Sequence, residues 1–303
     1  MKIIFDLEKP ERIDIFLSKK LKISRSATQK LILEKIIINS KKPKKTGVFL
    51  KKNDEIKILE KLENQENLDQ KNISQKIKII FENYDFLIVE KKSGIVVPPD
   101  KNHPKNSLAE ILINMKKIPK EMEKHNFGVV HRLDKPVSGI LIFSKNPNTS
   151  EYFWNIFKKR QIKKKYFAIT FCPQNFPLSG EIDAPICRDK KNRQKMTIKS
   201  SQNSRNAKTF FEILEQKKEF SQVEIFPQTG RMHQIRTHLS SIGLPILGDK
   251  IYGNKKLEKK LKIKIPRIFL HAEKLIFIPP GKKSQQEFFC SIPKEFEIFW
   301  EQI

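Results

Sequence analysis

At 303 residues the chain is long enough for one sizeable hydrophobic core plus an accessory module, so two domains is the default expectation. Its 61 lysines and arginines against 34 acidic residues leave a formal net charge of +27. That balance argues for a polyanionic partner, nucleic acid first, although a chain rich in Lys, Ile, Asn and Phe throughout would raise the total without any partner. Apolar residues fall in short clustered runs, which excludes a disordered tail.

The opening segment MKIIFDLEKPERIDIF has no apolar stretch ahead of a small-residue cleavage site, and no window approaches about 18 apolar residues. A cytoplasmic, soluble protein is expected. Cys172, Cys187 and Cys290 are scattered, with neither metal nor disulfide spacing, and read as inert core residues of a reducing compartment.

Residues 1–60 read as a small α/β module. In ERIDIFLSKKL the apolar Ile13, Phe16, Leu17 and Leu21 sit at helical spacing, and Ser26 with Gln29 forms a capping-box pattern ahead of a second helix. IIIN leads into Asn39-Ser40, and GVFLKKNDEIKIL offers two short strands around an Asn53-Asp54 turn. Lys19, Lys20, Lys22, Arg25 and Lys30 line the helices, either as a solvated face or as a phosphate-binding edge. Residues 61–76, KLENQENLDQKNISQK, carry hardly any apolar residue and no periodicity, and read as a linker.

From 77 to 303 strands alternate with helices. Strands are expected at IKIIFEN, FLIVEKKSGIVV, the apolar runs around residues 128–145, KYFAITF, AKTFFEIL, SQVEIFP, FLHAEKLIFIP and QEFFCSIP. Helices are expected near SLAEILINMKKI, SEYFWNIFKKRQI and after residue 231. Strands following one another through short turns imply an α+β fold, a mainly antiparallel mixed sheet with flanking helices.

Three pieces carry chemistry. In GVVHRLDKPVSGILIFSK (128–145) two apolar runs enclose His131, Arg132, Asp134 and Lys135. Arg132 and Asp134, two apart in an extended turn, point the same way while Leu133 points to the core. In FPQTGRMHQIRTHLSSIGLPILGDKIYG (226–253) a Gln228-Thr229-Gly230 turn precedes a helix with Met232, Ile235, Leu239 and Ile242 on its apolar stripe. His233, Arg236 and Ser240 lie on the other side, Arg231 stands at the entrance, and Gly243 with Pro245 provides the stop. In KKKYFAITF the Phe167, Ile169 and Phe171 face belongs to the core, so Tyr166 looks over a face of small residues with room to stack on a planar ligand.

HRLD followed by SGILIFSK, then KYFA, TGRMHQIRTHL, GLPILGDKIYG and LHAEKL, together resemble the RluA-type pseudouridine synthases over roughly residues 77–300. Residues 1–60 resemble the S-four-type RNA-binding domain that many such enzymes carry. Two departures stand outside the charged cluster: Val137 where the family usually has Thr, and KKSG at 91–94 in place of Lys-Pro-x-Gly. The resemblance implies uridine isomerisation in RNA, with Asp134 as the catalytic carboxylate, Tyr166 stacked beneath the target base and Arg231 paired with Asp134. Arg132 would fill the gap left by a flipped uridine, and His131, His233 and Arg236 complete the expected RNA-contacting set, with Lys19, Lys22, Arg25 and Lys30 in the first module. Large-subunit ribosomal RNA is the expected substrate, with transfer RNA open, and a monomer is expected.

Elementary chemistry agrees with that cast. The isomerisation breaks a glycosidic bond, turns the freed uracil and rejoins it through carbon five, with no net gain or loss of electrons or groups, so no cofactor and no metal is expected. The site needs one ionised carboxylate, as nucleophile or as base, and a facing guanidinium favours that charged form. One rival is a metal-dependent hydrolase using Asp134 with His131, His233 and His238, but His233 and His238 are not an i, i+4 pair flanking a Glu. The other is a non-catalytic RNA-binding or ribosome-assembly protein, for which an acid among cations is more than binding needs.

Overall fold

The structure is a computed structural model that describes residues 2–303 apart from positions 22, 44, 59–76, 100–105, 191, 193, 262 and 264; the side chain of Lys30 is also outside the described set. The expected linker at 61–76 therefore falls outside the described residues. The chain divides into two compact units, Met1–Leu68 and Asp69–Ile303.

The first unit runs β1 (Lys2–Ile4), β2 (Glu11–Arg12), α1 (Ile13–Leu21), α2 (Arg25–Lys35), β3 (Ile36–Ile38), β4 (Phe49–Leu50) and β5 (Glu55–Ile58). β5 lies between β1 and β3, antiparallel to both, while β2 and β4 form a separate short pair. Strands β4 and β5 flank the Asn53-Asp54 turn but take different partners, so the turn makes no hairpin. Ile13, Phe16 and Leu17 bury one face of α1 against Phe5, Ile32, Ile36 and Ile56. The cap of α2 is Ser24, not Ser26: Ser24 Oγ accepts from the Ala27 N–H, while Gln29, the other half of the expected capping box, donates to Asp14 instead.

Asp14 organises this unit. Its carboxylate is fully buried and accepts hydrogen bonds from Arg12, Arg25 and Gln29 at 2.9–3.1 Å. Burial works against the charge, but those donors outweigh it and hold the carboxyl well below its ordinary value of 3.8.

The second unit runs β6 (Lys78–Glu82), β7 (Phe86–Lys91), α3 (Leu108–Asn114), a 3-10 segment (Lys120–Gly128), β8 (Ser138–Ser144), α4 (Pro147–Lys158), β9 (Lys163–Phe171), β10 (Ser179–Asp183), β11 (Ile186–Arg188), β12 (Met196–Ile198), β13 (Lys208–Lys217), β14 (Phe220–Pro227), α5 (Gln234–Ser241), α6 (Lys255–Glu258), β15 (Leu270–Phe277), β16 (Gln286–Phe289) and α7 (Lys294–Gln302). A nine-stranded sheet has the order β10-β13-β14-β9-β15-β8-β7-β6, with β16 on the second half of β15. The expected mainly antiparallel α+β sheet is present. Its one parallel contact among the described strands is β15 with β8, where His271 faces Ser138 and Ala272 faces Gly139. Gly139 has φ +127°, and a Cβ there would lie 2.2 Å from the Ala272 carbonyl oxygen, so this central seam closes only on glycine.

The alternation of β9 divides two cores. Phe167, Ile169 and Phe171 pack with Phe269, Phe296, Phe299 and Trp300 of α7, whereas Ala168 and Tyr166 face the larger core shared with α3, α4 and α5. The Tyr166 face is thus a covered face, not an open sheet surface. Burial of each such Phe contributes roughly 2–3 kcal/mol. Helix α7 departs from the expectation of strands closing the chain, yet Phe296, Phe299, Trp300 and Ile303 repeat at i, i+3, i+4, i+7, a helical stripe starting just after Pro293. Strands β10, β11 and β12 also lie beyond the sequence reading. β11 (ICR) and β12 (MTI) are only three residues long, too short to show an alternation, and β10 (SGEID) is a mostly polar edge strand. The FGVV run contributes only an isolated bridge, Val129 to Phe143, because the chain leaves the sheet to make the charged loop.

Because the folded Asp14 carboxyl titrates below its ordinary value, its stabilisation is complete above about pH 4 and is lost as pH falls below that. Asp14→Asn should reduce hydrogen-exchange protection of α1 and α2 in the full-length chain at pH 7 by roughly 100-fold. The same variant should lose most of the difference in protection between pH 7 and pH 3. Unchanged protection would mean that Asp14 is not what holds the two helices.

Candidate active site

The charged loop is held from behind. Leu133 is 6% exposed and anchors it in the core, which turns Arg132 and Asp134 to the outer side. The Val137 N–H donates to the Asp134 carbonyl at 3.0 Å and closes the turn. The fully buried Lys91 ends β7 and donates to the carbonyls of Lys92, Ile95 and Lys135 at 2.8–3.1 Å. Ser93 Oγ donates to the Pro136 carbonyl and the Gly94 N–H to the Lys135 carbonyl. KKSG therefore fastens the loop at successive carbonyls. Burial lowers the pKa of Lys91 to about 7 against the upward pull of the Asp134 charge. His131 Nε2 accepts the Ile142 N–H at 2.9 Å, and its ring lies 4.8 Å from that of Phe157. Burial, helped by the Lys164 charge, pushes His131 down to about 3, so it is a neutral structural acceptor.

The opposing wall is α5. Its residues from Gln234 to Leu239 are all buried, so the helix is no surface element. Gln234 fixes the turn before it: Oε1 accepts from Thr229 Oγ1 and the Arg231 N–H, while Nε2 donates to the Lys208 carbonyl and Thr209 Oγ1. His233 enters the helix at φ 54°, a strained conformation for a non-glycine residue. Arg236 is only 3% exposed. Its Nε and Nη2 form a two-pronged pair with Asp249 at 2.7 and 2.8 Å, and its Nη1 donates to Asp134 Oδ2 at 2.8 Å. Asp249 is held in turn by the N–H groups of Ile251 and Tyr252. Burial opposes charge on both Arg236 and Asp249, but their mutual bonds prevail: Arg236 titrates above an ordinary arginine and Asp249 below an ordinary aspartate.

Asp134, Tyr166 and Arg236 line one cavity of about 200 Å³ with Arg132, Arg231 and His233. Burial, with the nearby Asp134 charge, raises the Tyr166 pKa, so its hydroxyl stays protonated. His233 Nε2 lies 3.7 Å from Asp134 Oδ2, and His233 Nδ1 is 2.9 Å from the Tyr252 hydroxyl. Burial lowers the His233 pKa while Asp134 raises it.

The profile of the RNA pseudouridylate synthase family matches residues 85–241, which include Asp134, Tyr166, Arg231, His233 and Arg236. The chain is 35% identical over 302 residues to ribosomal large subunit pseudouridine synthase D of Borreliella burgdorferi, covering 95% of this chain and 88% of that one. The chain belongs to the RNA pseudouridine synthases. An RNA pseudouridine synthase of Bacillus subtilis, YlyB, is 33% identical over 95% of this synthase and 92% of its own length. Among solved structures, human RNA pseudouridylate synthase domain containing 4 superposes with a TM-score of 0.59 at 25% identity, covering 77% of this chain and 94% of that one. The synthase is thus an RluA-type enzyme that isomerises uridine in RNA.

Within the synthase the partner of Asp134 is Arg236, which corrects the expected pairing with Arg231. Arg231 sits in the exposed-edge turn before α5, its backbone tied to Gln234 and its Nε donating to the Asn206 carbonyl at 3.1 Å. Arg236 lies farther along, where the helix axis brings it directly beneath the loop. Arg132 is exposed at the cavity rim and makes no hydrogen bond or ion pair with another described residue. Met232 is not on the apolar stripe but 38% exposed. His238 is buried between Thr209 Oγ1 and the Ala184 carbonyl, away from the loop. In the first unit Lys19 pairs with Glu11 at 2.7 Å and Arg25 with Asp14 at 2.9 Å; Lys22 and the Lys30 side chain lie outside the described residues. Sequence reasoning gave no role to Lys91, Gln234, Asp249 or Tyr252. The available signal was the Gly-Asp-Lys-Ile-Tyr-Gly run, an acid and a tyrosine placed by glycines a short distance after the helix stop.

Arg236→Lys keeps the charge but cannot grip Asp249 with two prongs and reach Asp134 with a third bond. Its turnover on RNA should fall about 100-fold while RNA affinity stays within a few-fold, measured by single-turnover assay and filter binding. Wild-type turnover in this variant would remove Arg236 from the role of orienting Asp134.

Proposed function

We propose that this synthase modifies large-subunit ribosomal RNA, with Asp134 as the carboxylate that drives the isomerisation of a flipped-out uridine. The observation that carries the reading is the 2.8 Å bond from a buried, doubly anchored guanidinium to Asp134 at the floor of a cavity that also contains an aromatic ring. That bond holds one carboxylate oxygen of a residue that lines the cavity, where either attack or proton removal needs an ionised acid. Tyr166 supplies a flat face for the freed uracil, worth about 1–3 kcal/mol by stacking. Arg132, at the rim with no hydrogen-bond or ion-pair partner among the described residues, has the planar, charged form needed to occupy the space vacated by the base. Arg231 and His233 join it in contacting the RNA. No metal and no organic cofactor enters the chemistry.

The ribosomal target is supported by the names of relatives, the Borreliella enzyme above and ribosomal large subunit pseudouridine synthase D of Zymomonas mobilis, 34% identical over 75% of this chain and 73% of its own. Residues 1–60 act as an S-four-type RNA-binding domain ahead of the catalytic domain, a reading supported by two adjoining helices on a small sheet with the Lys19 side chain largely exposed. We infer that the protein works as a monomer in the cytoplasm. Among the described residues no helix is long and apolar enough to cross a membrane.

Asp134→Asn preserves shape and removes the charge, so pseudouridine formation should vanish while RNA affinity holds or rises slightly. Mapping pseudouridines in total RNA from a strain lacking the protein should show positions missing from large-subunit ribosomal RNA; losses confined to transfer RNA would redirect the substrate. Tyr166→Phe should keep binding and most turnover, whereas Tyr166→Ala should lose both. If Phe binds normally but is as inactive as Asp134→Asn, the hydroxyl moves a proton and the ring is more than a platform.

A further inference from the structure

Two more cavities continue outward from the one at Asp134. The second, about 440 Å³, lies between the end of α4 and the turn before α5 and includes Arg132, Phe157, Lys158, Arg160 and Tyr166 in its wall. The third, about 310 Å³, wraps the ends of β9, β13 and β14 and is lined by Arg160, Lys163, Phe210, Phe226 and Gln228 among others. Among the described residues no carboxylate lines either of them, whereas Arg132, Lys158, Arg160, Lys163, Lys164 and Arg231 do. Lys164 is the one residue that lines all three cavities.

Lys164 is an unusual cation. Its ammonium donates to the Thr229 carbonyl at 3.1 Å, and none of the ion pairs among the described residues includes it. Burial lowers its pKa to about 8, with the Arg160 charge adding to the effect. A half-buried ammonium with donors to spare, facing a carboxylate-free trough, matches a phosphate. Arg160 adds a second, independent sign. It follows the end of α4 at φ 58°, a left-handed position where glycine would be cheaper, and this places it in both outer cavities. Phe210 and Phe226 are directly opposed in the antiparallel register, and both are only half-buried. The Lys208 ammonium lies 5.3 Å from the Phe210 centroid and is tied to Glu181, which leaves Phe226 as the available ring.

We propose that this trough is a second nucleotide subsite: the phosphate beside the target uridine rests on Lys164 and Arg160, and the base of the flanking nucleotide stacks on Phe226 at the end of β14. The proposal rests on the RNA-modifying reading of the Asp134 cavity and extends it to the single-stranded neighbour of the target.

The test uses the full-length protein carrying Asp134→Asn and a six-nucleotide uridylate as probe, with affinity measured by fluorescence anisotropy across a salt series. Phe226→Leu, which keeps an apolar side chain in place, should weaken binding about 10-fold with an unchanged salt slope, and Phe226→Tyr should bind as the parent does. Lys164→Met should lower the slope by roughly 0.7. Parent-like affinity and slope in both Phe226→Leu and Lys164→Met, or no binding of the probe by the parent at low salt, would overturn the assignment. Since binding is read without turnover, loss of this subsite and failure of the modification reading remain separate results.

Discussion

The site depends on one guanidinium shared between two acids. Arg236 is almost wholly buried, a position that costs several kcal/mol for an isolated charge. Asp249 compensates by gripping two of its nitrogens, and the N–H groups of Ile251 and Tyr252 hold Asp249 in turn. The nitrogen that Asp249 does not grip, Nη1, is thereby given a fixed direction, and it donates to Asp134. The orientation of Asp134 is therefore set from the far side of the cavity, through Arg236 and the Asp249 that anchors it. The Lys91 bonds to the loop carbonyls do the same from beneath, so loop and helix meet as two rigid parts.

The cations divide by the company they keep. Arg12, Arg25 and Arg236 are matched to buried carboxylates and hold structure together. Lys91 is matched to carbonyls. Arg132 and Lys164 have no acidic partner among the described residues, and both border the cavities. The overall excess of 61 basic over 34 acidic residues says nothing about that division; only position separates a cation used for folding from one left for a polyanion.

Much of this was legible in the sequence. Period-two alternation in KKKYFAITF identified one of its two covered faces, and the Leu133 inward, Asp134 outward reading followed from the same geometry. The family motifs marked both walls of the cavity. The pairing across it was not legible, because Asp134 and Arg236 are 102 residues apart and two arginines, Arg231 and Arg236, were equally eligible on spacing. Burial decided between them, and burial on α5 was hidden because a helix enclosed on all sides still carried polar residues at Gln234, Arg236, Thr237 and His238. The Ser24 cap was missed for a similar reason: Gln29, which made Ser26 look like a cap, is used by Asp14, a contact from another helix.

Strand β15 sits between β9 and β8, although both of those strands are made long before it. Until Phe277 has been added, the strands from β6 to β8 and those from β9 to β14 share no hydrogen-bonded edge, and the seam at Gly139 has nothing to close against. The loop bearing Asp134 belongs to the first group and the helix bearing Arg236 follows the second. A chain still being synthesised thus holds two half-sheets with open edges and no assembled acid-guanidinium pair. Catalytic competence waits on the synthesis of β15, and the unjoined half-sheets are a stage at which open strand edges are exposed to mispairing.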